Sequence, residues 1–332
     1  MPKQYLGHLQ EQDPLYGILA TRVFNGVFRP SFKVEKISYR QVYKYSEQNS
    51  GLAVVCKFFD PNDSNRERLA RLKGEYDNLL RIRGFGFDSA PFYVVRPITK
   101  EESIGLAVVE EYIKGKDLDY YLKKAVFQSD EAPLYDRLTL LASFLWEMHR
   151  RTQTDTYNNG EVSIHYIYSL IDYLSLHNVI EHREVVGFKQ AVDKWVYRGI
   201  LKGARDVIIH GDATPTNFIF TPNGTVAAID MERSRYGDAA YDIGMICGEL
   251  KHAFFWRVGD PLRAEPFIGH FLREYTKHSE EPKVEFRRLS MRIPFYMALT
   301  ELRVARNLYL DWGYRKRLTE EARSCLLGGL KG

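Results

Sequence analysis

The sequence has few cysteines, little net charge and no long apolar run. Its three cysteines, Cys56, Cys247 and Cys325, are odd in number and far apart, which excludes a disulfide framework and a cysteine-based zinc site. The 47 Lys and Arg residues against 43 Asp and Glu residues leave a net charge of only +4. No overall field therefore indicates nucleic acid as a partner, and function must reside in a local site.

Apolar runs such as 138–146 stop after a few residues, far below the roughly 20 residues needed to cross a bilayer. The N-terminal residues show no basic segment followed by an apolar one. We therefore expect no membrane partner and a cytoplasmic protein, because unpaired cysteines favour a reducing compartment.

Aromatic residues are abundant at 14%, and a chain of 332 residues can form two lobes with separate cores. Over residues 1–113 the segments FKVEKI, QVYKYS, LAVVCKFF, FYVVRPI and GLAVVEEYI are typical of strands. A helix is predicted between LAVVCKFF and FYVVRPI, with Ser64 and Glu67 as an S-x-x-E capping box at its start. The pattern predicts an α+β lobe, a mostly antiparallel sheet with one helix.

From Asp117 onward helical periodicity dominates, most clearly over 133–151, where leucines repeat at spacings of four and three. Further helices are expected over 155–205 and from Tyr241 to the C-terminus. Residues 114–332 are therefore predicted to form a larger, mainly helical lobe.

The segment VIIHGDATPTNFIFTPNGTVAAID concentrates polar side chains at the ends of apolar strands. Asp230 and Asn217 offer the oxygen ligands that Mg²⁺ prefers, and Asp212 can accept a proton from an attacking hydroxyl. The alternative is that all three are turn or cap residues, for which Asp and Asn are common choices. Their combined spacing favours the chemical interpretation.

These residues also carry a family resemblance. HGDATPTN, AAIDMER and GDAAYDIG resemble the motifs of the aminoglycoside phosphotransferase and choline kinase-like branch of the protein-kinase-like fold. The resemblance implies a bilobal small-molecule kinase that transfers the γ-phosphoryl group of ATP or GTP to a hydroxyl. It also implies Asp212 as catalytic base and Asn217 with Asp230 as Mg²⁺ ligands. His210 would organise the catalytic loop rather than transfer a proton, and Asp242 would either brace that loop or cap the following helix. Glu232 would either join the metal site or remain an exposed polar residue.

The same resemblance implies a nucleotide site in the N-terminal lobe. Lys57, in a buried-looking strand, would bind the α- and β-phosphates and pair with Glu75 on the helix. The alternative for Lys57 is a lysine on an edge strand that points to solvent, and the alternative for Glu75 is a solvated charge on the helix surface. Backbone groups of Glu111 and Ile113 would face the adenine edge.

One feature departs from the family pattern: no glycine occurs between Ser31 and Gln48, where a phosphate-binding loop is expected. The loop 38–40 would serve instead, with Ser38 and Arg40 as phosphate contacts. This departure keeps open a nucleotide-binding pseudokinase without transfer activity. Metal-dependent hydrolysis through His210, Asp212 and Asp230 is a further alternative.

The acceptor is not named by these motifs. Residues 155–200 hold six acidic and four basic residues. They therefore form no strongly acidic surface of the kind that a polycationic acceptor would need. Residues 251–332 hold sixteen basic and ten acidic residues. Some arginines in this stretch could face an anionic or hydroxylated acceptor, and the alternative is that they lie on solvated helix faces. These arginines are Arg287, Arg288, Arg292, Arg303 and Arg306. Several aromatic residues could form a cage for a quaternary amine or could instead be core packing: Tyr157, Tyr166, Tyr168, Tyr173 and Trp195.

Overall fold

The computed structural model describes residues 4–38, 40–60 and 62–331. In chain order the strands are β1 (Gln4–His8), β2 (Phe32–Lys36), β3 (Val42–Glu47), β4 (Ala53–Phe58), β5 (Asp88–Ser89), β6 (Phe92–Val94), β7 (Pro97–Glu101), β8 (Leu106–Glu111), β9 (Lys116–Asp117), β10 (Val207–Ile209), β11 (Phe218–Phe220), β12 (Val226–Ala228) and β13 (Arg235–Gly237). The helices are α1 (Pro14–Ile18), α2 (Arg66–Arg83), α3 (Leu118–Gln128), α4 (Ala132–Arg151), α5 (Glu161–Leu176), α6 (His182–Tyr197), α7 (Ala240–Val258), α8 (Glu265–Thr276), α9 (Pro282–Ala305) and α10 (Trp312–Gly329).

The chain divides into two compact units. The first holds residues up to Lys116 together with Ile219–Arg233, and the second holds Asp117–Phe218 together with the residues from Ser234 onward. The segment Ile219–Arg233 thus packs with the first unit, although the residues on both sides of it in the sequence belong to the second unit. This matters for the site because Asp230 lies in that segment.

The first unit is built on an antiparallel sheet with the strand order β1-β2-β3-β4-β8-β7. Residues 1–30 have no clear pattern in the sequence, yet the described part of this segment adds β1 and α1, whose Leu15 is buried against the sheet. β1 is largely exposed, so it carries no hydrophobic alternation by which it could be recognised. β12 pairs in parallel with β6, Val226 opposite Phe92, and this pairing fixes the start of the turn that holds Asp230.

Helix α2 begins one residue later than the predicted capping box implies. Asn65, not Ser64, is the N-cap, and its side chain accepts a hydrogen bond from the Arg68 amide at 3.0 Å. Glu67 instead pairs with Arg71 one turn on, at 2.5 Å. The capping-box prediction was wrong because Asn caps a helix as well as Ser does and stood next to it. The helix buries Leu72, as expected, and also Glu75.

The second unit is mainly helical, with the short antiparallel pair β10 and β13. The predicted helix over 133–151 is α4, and the helices expected over 155–205 are α5 and α6. α7 is buried along nearly its whole length and packs against α9. A Cβ added at Gly248 would lie 2.8 Å from the Cβ of Thr300, so this glycine permits the close approach of the two helices. No helix among the described residues is long and apolar enough to cross a membrane.

Candidate active site

Lys57 is the centre of a buried charge cluster in the first unit. It lies on β4 and is only 6% exposed. Its Nζ is 2.5 Å from Oε1 of Glu75 on α2, 3.2 Å from Oδ1 of Asp230 and 3.6 Å from Oε1 of Glu110 on β8. We call these four residues the Lys57 cluster. The expected pairing of Lys57 with Glu75 is present, and the alternative of a solvent-facing lysine is wrong.

The ionisation of the Lys57 cluster follows from its burial and its excess of carboxylates. Burial alone would lower the pKa of Lys57, but the charges of Glu110, Glu75 and Asp230 raise it well above its ordinary value. Burial raises the pKa of Glu75, with Lys57 opposing the shift and the negative charges of Asp230 and Glu110 adding to it. The ammonium is thus held charged, while the acids compete for it.

Asp230 stands in the turn after β12 with a φ of 62°, a left-handed backbone conformation that is uncommon outside glycine. Such conformations cluster at functional sites, where surrounding structure holds them. One oxygen each of Glu75, Asp230 and Glu232 lie within 4.8 Å of one another. Hard oxygen donors at this spacing suit a divalent cation such as Mg²⁺, so the donor set on this unit fits the expected metal. Glu232 is buried at 4% exposure, which excludes the alternative of an exposed polar residue.

The residues expected to contact the nucleotide base lie at the end of β8 in the same unit. The Glu111 carboxylate accepts hydrogen bonds from the Tyr93 hydroxyl and, at 2.8 Å, from the Arg96 amide. The Glu111 amide donates to the Arg96 carbonyl at 3.1 Å. Glu111 closes β8, and Ile113 follows two residues later. These bonds fix the chain where the adenine contact is expected.

The glycine-free loop lies between β2 and β3. Ser38 Oγ accepts a hydrogen bond from the Arg40 amide at 3.3 Å, and the Arg40 guanidinium donates to Glu232 Oε1 at 3.0 Å. Arg40 thereby reaches the acids beside Asp230. Tyr39, the middle residue of the expected loop, lies outside the described residues.

In the second unit, Asp242 holds the backbone of the loop that leads to Asp212. Its carboxylate accepts hydrogen bonds from the His210 amide at 2.6 Å and the Gly211 amide at 3.0 Å. Its Oδ2 is also 3.2 Å from Nε2 of His149, whose Nδ1 is 2.9 Å from the Tyr275 hydroxyl. Burial would raise the pKa of Asp242, but the hydrogen bond from His149 and the neighbouring donors lower it below its ordinary value. The expected bracing role of Asp242 is therefore present.

Asp212 follows this braced backbone. Its carbonyl accepts hydrogen bonds from the Thr214 amide at 2.7 Å and from Asn217 Nδ2 at 2.9 Å. Because the amide nitrogen of Asn217 is directed at Asp212, the side-chain oxygen of Asn217 is the atom that would face a metal. The Asp212 carboxylate is in contact with the guanidinium of Arg303 on α9, which also binds Glu249 of α7 at 2.8 Å.

Of the other arginines considered from the sequence, Arg292 lies 3.1 Å from Asp238, whereas Arg287 and Arg288 are exposed and Arg306 is partly buried at the end of α9. Of the aromatic residues considered for a cage, Trp195 is fully buried and donates a hydrogen bond to the Leu326 carbonyl, whereas Tyr157 is 62% exposed. Core packing is therefore the role of Trp195.

Sequence reasoning missed Glu110 and Glu249. Glu110 lies near the end of the apolar segment LAVVEE. Only its neighbour Glu111 was assigned a role there, as part of the expected adenine contact. Strand pairing places Val55 opposite Glu110, and because side chains alternate along a strand, Glu110 shares a face with Lys57. The available indication was that two buried-looking strands each contain a charged residue, a lysine in AVVCKF and a glutamate in LAVVEE.

Comparison with known proteins agrees with this architecture. Solved structures with the protein-kinase-like fold align over nearly the whole chain. A streptomycin–ATP ternary complex of APH(2″)-IIa shares 14% identity, with a TM-score of 0.56 over 96% of this chain and 97% of its own. Choline kinase LicA from Streptococcus pneumoniae shares 18%, with a TM-score of 0.55 over 95% and 100%. Ethanolamine kinase from Plasmodium vivax shares 14%, with a TM-score of 0.56 over 95% and 87%.

The fold is therefore the α+β, bilobal protein-kinase-like fold, with an antiparallel-sheet lobe and a larger helical lobe. The model of the phosphotransferase enzyme family matches residues 38–286. The chain belongs to this family, which confirms the family that the sequence motifs indicated. No curated protein matches the sequence significantly.

Proposed function

We propose that this phosphotransferase is a small-molecule kinase that transfers the γ-phosphoryl group of ATP or GTP to a substrate hydroxyl. The observation that carries the proposal is the buried Lys57 ammonium, in contact with both Glu75 and Asp230. A lysine fixed by a helix glutamate, beside an acid suited to metal binding, is the arrangement that kinases use to orient nucleotide phosphates.

Each charged group has a distinct role in this proposal. Lys57 binds the α- and β-phosphates, and Glu75 holds Lys57 in place. Asp230 and Asn217 are the proposed Mg²⁺ ligands, with Glu232 as a further oxygen donor within reach of Asp230. When bound, Mg²⁺ neutralises the negative charge of the phosphates.

Asp212 is the proposed catalytic base. It orients the acceptor hydroxyl and takes its proton as the acceptor oxygen bonds to the γ-phosphorus and the bond from that phosphorus to the β–γ bridging oxygen breaks. The nucleoside diphosphate leaves with the bridging oxygen. The Asp242 hydrogen bonds to the loop backbone support this role, because a fixed loop keeps the carboxylate oriented.

The remaining nucleotide contacts are assigned to residues 1–113, and the acceptor is assigned to residues 114–332. The backbone of Glu111 and Ile113 would bind the base edge. Ser38 and Arg40 would contact the phosphates in place of a glycine-rich loop, and the link from Arg40 to Glu232 supports a position beside the metal ligands.

The test combines binding with turnover. We expect Mg-ATP or Mg-GTP to raise the melting temperature, and we expect nucleoside diphosphate release with at least one acceptor from a panel of amino alcohols, aminoglycosides, sugars and nucleosides. Asp212→Asn should lower the turnover by about 10²- to 10⁴-fold and leave the nucleotide-induced shift unchanged. Asp206→Asn, a half-buried carboxylate just before β10, is the matched control.

The outcomes separate the alternatives. Nucleotide binding without release for any acceptor would replace the proposal with the pseudokinase, which the glycine-free loop favours. Phosphate-ester hydrolysis with Mn²⁺ and no nucleotide would indicate the hydrolase. Full turnover by Asp212→Asn would contradict the assignment of the base.

A further inference from the structure

The Asp212 carboxylate shares an arginine with a second acid. Arg303, in the last turn of α9, contacts Asp212 Oδ1 through Nη1 and Glu249 Oε1 through Nη2, the latter at 2.8 Å. The Arg303 side chain is only 15% exposed. Its two outer nitrogens therefore bridge the proposed base and a carboxylate of α7 within the second unit. We call Asp212, Glu249 and Arg303 the arginine clamp.

The clamp lies beside a close contact between α7 and α9. Gly248 allows Thr300 to approach α7, since a Cβ there would lie 2.8 Å from the Thr300 Cβ. Glu249 is the next residue on α7, and Arg303 follows Thr300 by three residues, about one turn. Both partners thus extend from a region where α7 and α9 pack closely. The orientation of Arg303 is set by the fold before any ligand binds.

The chemistry of the clamp matches a positioning task. A guanidinium is planar, keeps its charge and binds two carboxylates with a fixed angle between them. The neighbouring carboxylates raise the pKa of Arg303 above its ordinary value against the effect of burial. A lysine at the same place would offer one point charge and could not hold both acids in one geometry.

We propose that Arg303, anchored by Glu249, is a positioning residue that fixes the Asp212 carboxylate for the acceptor hydroxyl. The inference rests on the proposed function, since it assigns Arg303 a role through the base. Arg303 itself takes no proton and carries no phosphoryl group in this scheme. Its effect is on the orientation of Asp212, and misplacement of a catalytic group by about 1 Å can cost about 100-fold in rate.

The kinetic experiment uses the full chain with Mg-ATP or Mg-GTP and the best acceptor of the panel. Arg303→Met is expected to lower kcat by about 10- to 100-fold with the KM for nucleotide unchanged. Arg303→Lys should recover part of the loss, and Glu249→Gln should give a smaller loss because Arg303 keeps Asp212. Lys283→Met removes an exposed positive charge from the same helix and should leave kcat and KM unchanged.

A stability experiment tests the clamp without activity. The melting temperatures of wild type, Arg303→Met, Asp212→Ala and the double variant form a cycle. We expect the double variant to lose less than the sum of the single losses, because either single variant already breaks the contact. If no acceptor is turned over, the proposed function fails while this cycle still decides whether Arg303 holds Asp212.

Two outcomes overturn the inference: additive losses in the stability cycle, or a folded Arg303→Met variant whose kcat lies within twofold of the wild-type value. If Arg303→Met does not fold, Glu249→Gln replaces it in both experiments. A Glu249→Gln protein with wild-type kcat and additive melting shifts contradicts the clamp equally.

Discussion

Glu75 and Asp242 are both fully buried carboxylates, one in each unit, and their pKa values move in opposite directions. Glu75 shares the Lys57 ammonium with Asp230 and Glu110. Asp242 accepts hydrogen bonds from two backbone amides and faces His149. Burial is the same in both cases, so the supply of donors decides which form of the acid is favoured.

The difference in hydrogen-bond donors between the two sites indicates how each would be affected by a bound ligand. The Lys57 cluster holds one positive and three negative groups among the residues that the structure describes, and cations would relieve this surplus of negative charge. The loop that leads to Asp212 is held by hydrogen bonds that exist without a ligand. Under the proposed function, the first unit forms a site that metal and nucleotide complete, whereas the loop of the second unit is organised in advance.

The largest effect is expected from Lys57→Met. The substitution leaves the buried carboxylates of Glu75 and Glu110 without a cation, which should lower the free energy of unfolding by about 3 to 5 kcal/mol. Urea unfolding measures the change. Adding Glu110→Gln to Lys57→Met removes part of the negative surplus and should recover part of the loss. A double variant less stable than Lys57→Met would contradict the view that the cluster carries excess negative charge.

The second prediction concerns the bracing of the loop. Asp242→Asn replaces one accepting oxygen with a donor that faces a backbone amide, so we expect a loss of about 3 kcal/mol in unfolding free energy. Turnover should fall with it, because the loop that carries Asp212 loses its support. Asp206→Asn, whose partners are the side chains of Thr156 and Asn158, should cost less than about 1 kcal/mol. Equal losses for the two variants would remove the distinction between backbone and side-chain donors.

Much of this comparison could be predicted from the sequence because the chemistry of the loops lies in short motifs. The spacing of Asp212, Asn217 and Asp230 indicated the catalytic segment, and a lysine in an apolar strand indicated Lys57. Glu110 could not be found in that way, because its direction depends on how β4 pairs with β8.

The arginine clamp was equally hidden. Glu249 and Arg303 meet through the packing of α7 on α9, which depends on the space left by Gly248. The sequence showed Arg303 only as one of several arginines in a basic stretch. Local spacing therefore predicts which elements carry chemistry, and tertiary packing decides which side chains join them.

Glu47 tests whether backbone donors act in the first unit as they do at Asp242. Its carboxylate accepts hydrogen bonds from the amides of Ser31, Asn49 and Ser50 at 3.2, 3.1 and 2.6 Å. Burial opposes ionisation, but these bonds lower the pKa of Glu47 from 4.5 to about 2. Its contribution to stability is therefore present above pH 4.5 and is lost as the pH falls toward 2.

Glu47→Gln should accordingly lower the free energy of unfolding by about 2 kcal/mol at neutral pH. The difference from wild type should shrink as acid protonates Glu47. Denaturant unfolding at about pH 7 and about pH 3 measures both values. A difference that stays constant between these pH values would show that the amides do not favour the ionised form.

The smallest effect is expected at Glu301 in the second unit, where the pKa shifts in the direction opposite to that of Glu47. Glu301 lies on α9 with no exposed surface, and neither of its carboxylate oxygens has a hydrogen-bond partner among the described residues. Burial raises its pKa well above 4.5; Lys251 opposes the shift, and Glu249 and Glu321 add to it. Because the folded protein holds this proton more tightly than the unfolded chain, Glu301 lowers stability progressively as the pH rises above 4.5.

A neutral amide of the same shape removes that dependence. Glu301→Gln should match wild type at about pH 4.5 and exceed its unfolding free energy by about 1 kcal/mol at about pH 8. Glu320→Gln, an exposed acid on α10, should follow the wild-type pH curve. If Glu301→Gln is less stable than wild type at every pH, the Glu301 carboxylate has a partner that favours its charged form. A buried acid in the second unit would then be stabilised without the backbone donors that distinguish Asp242.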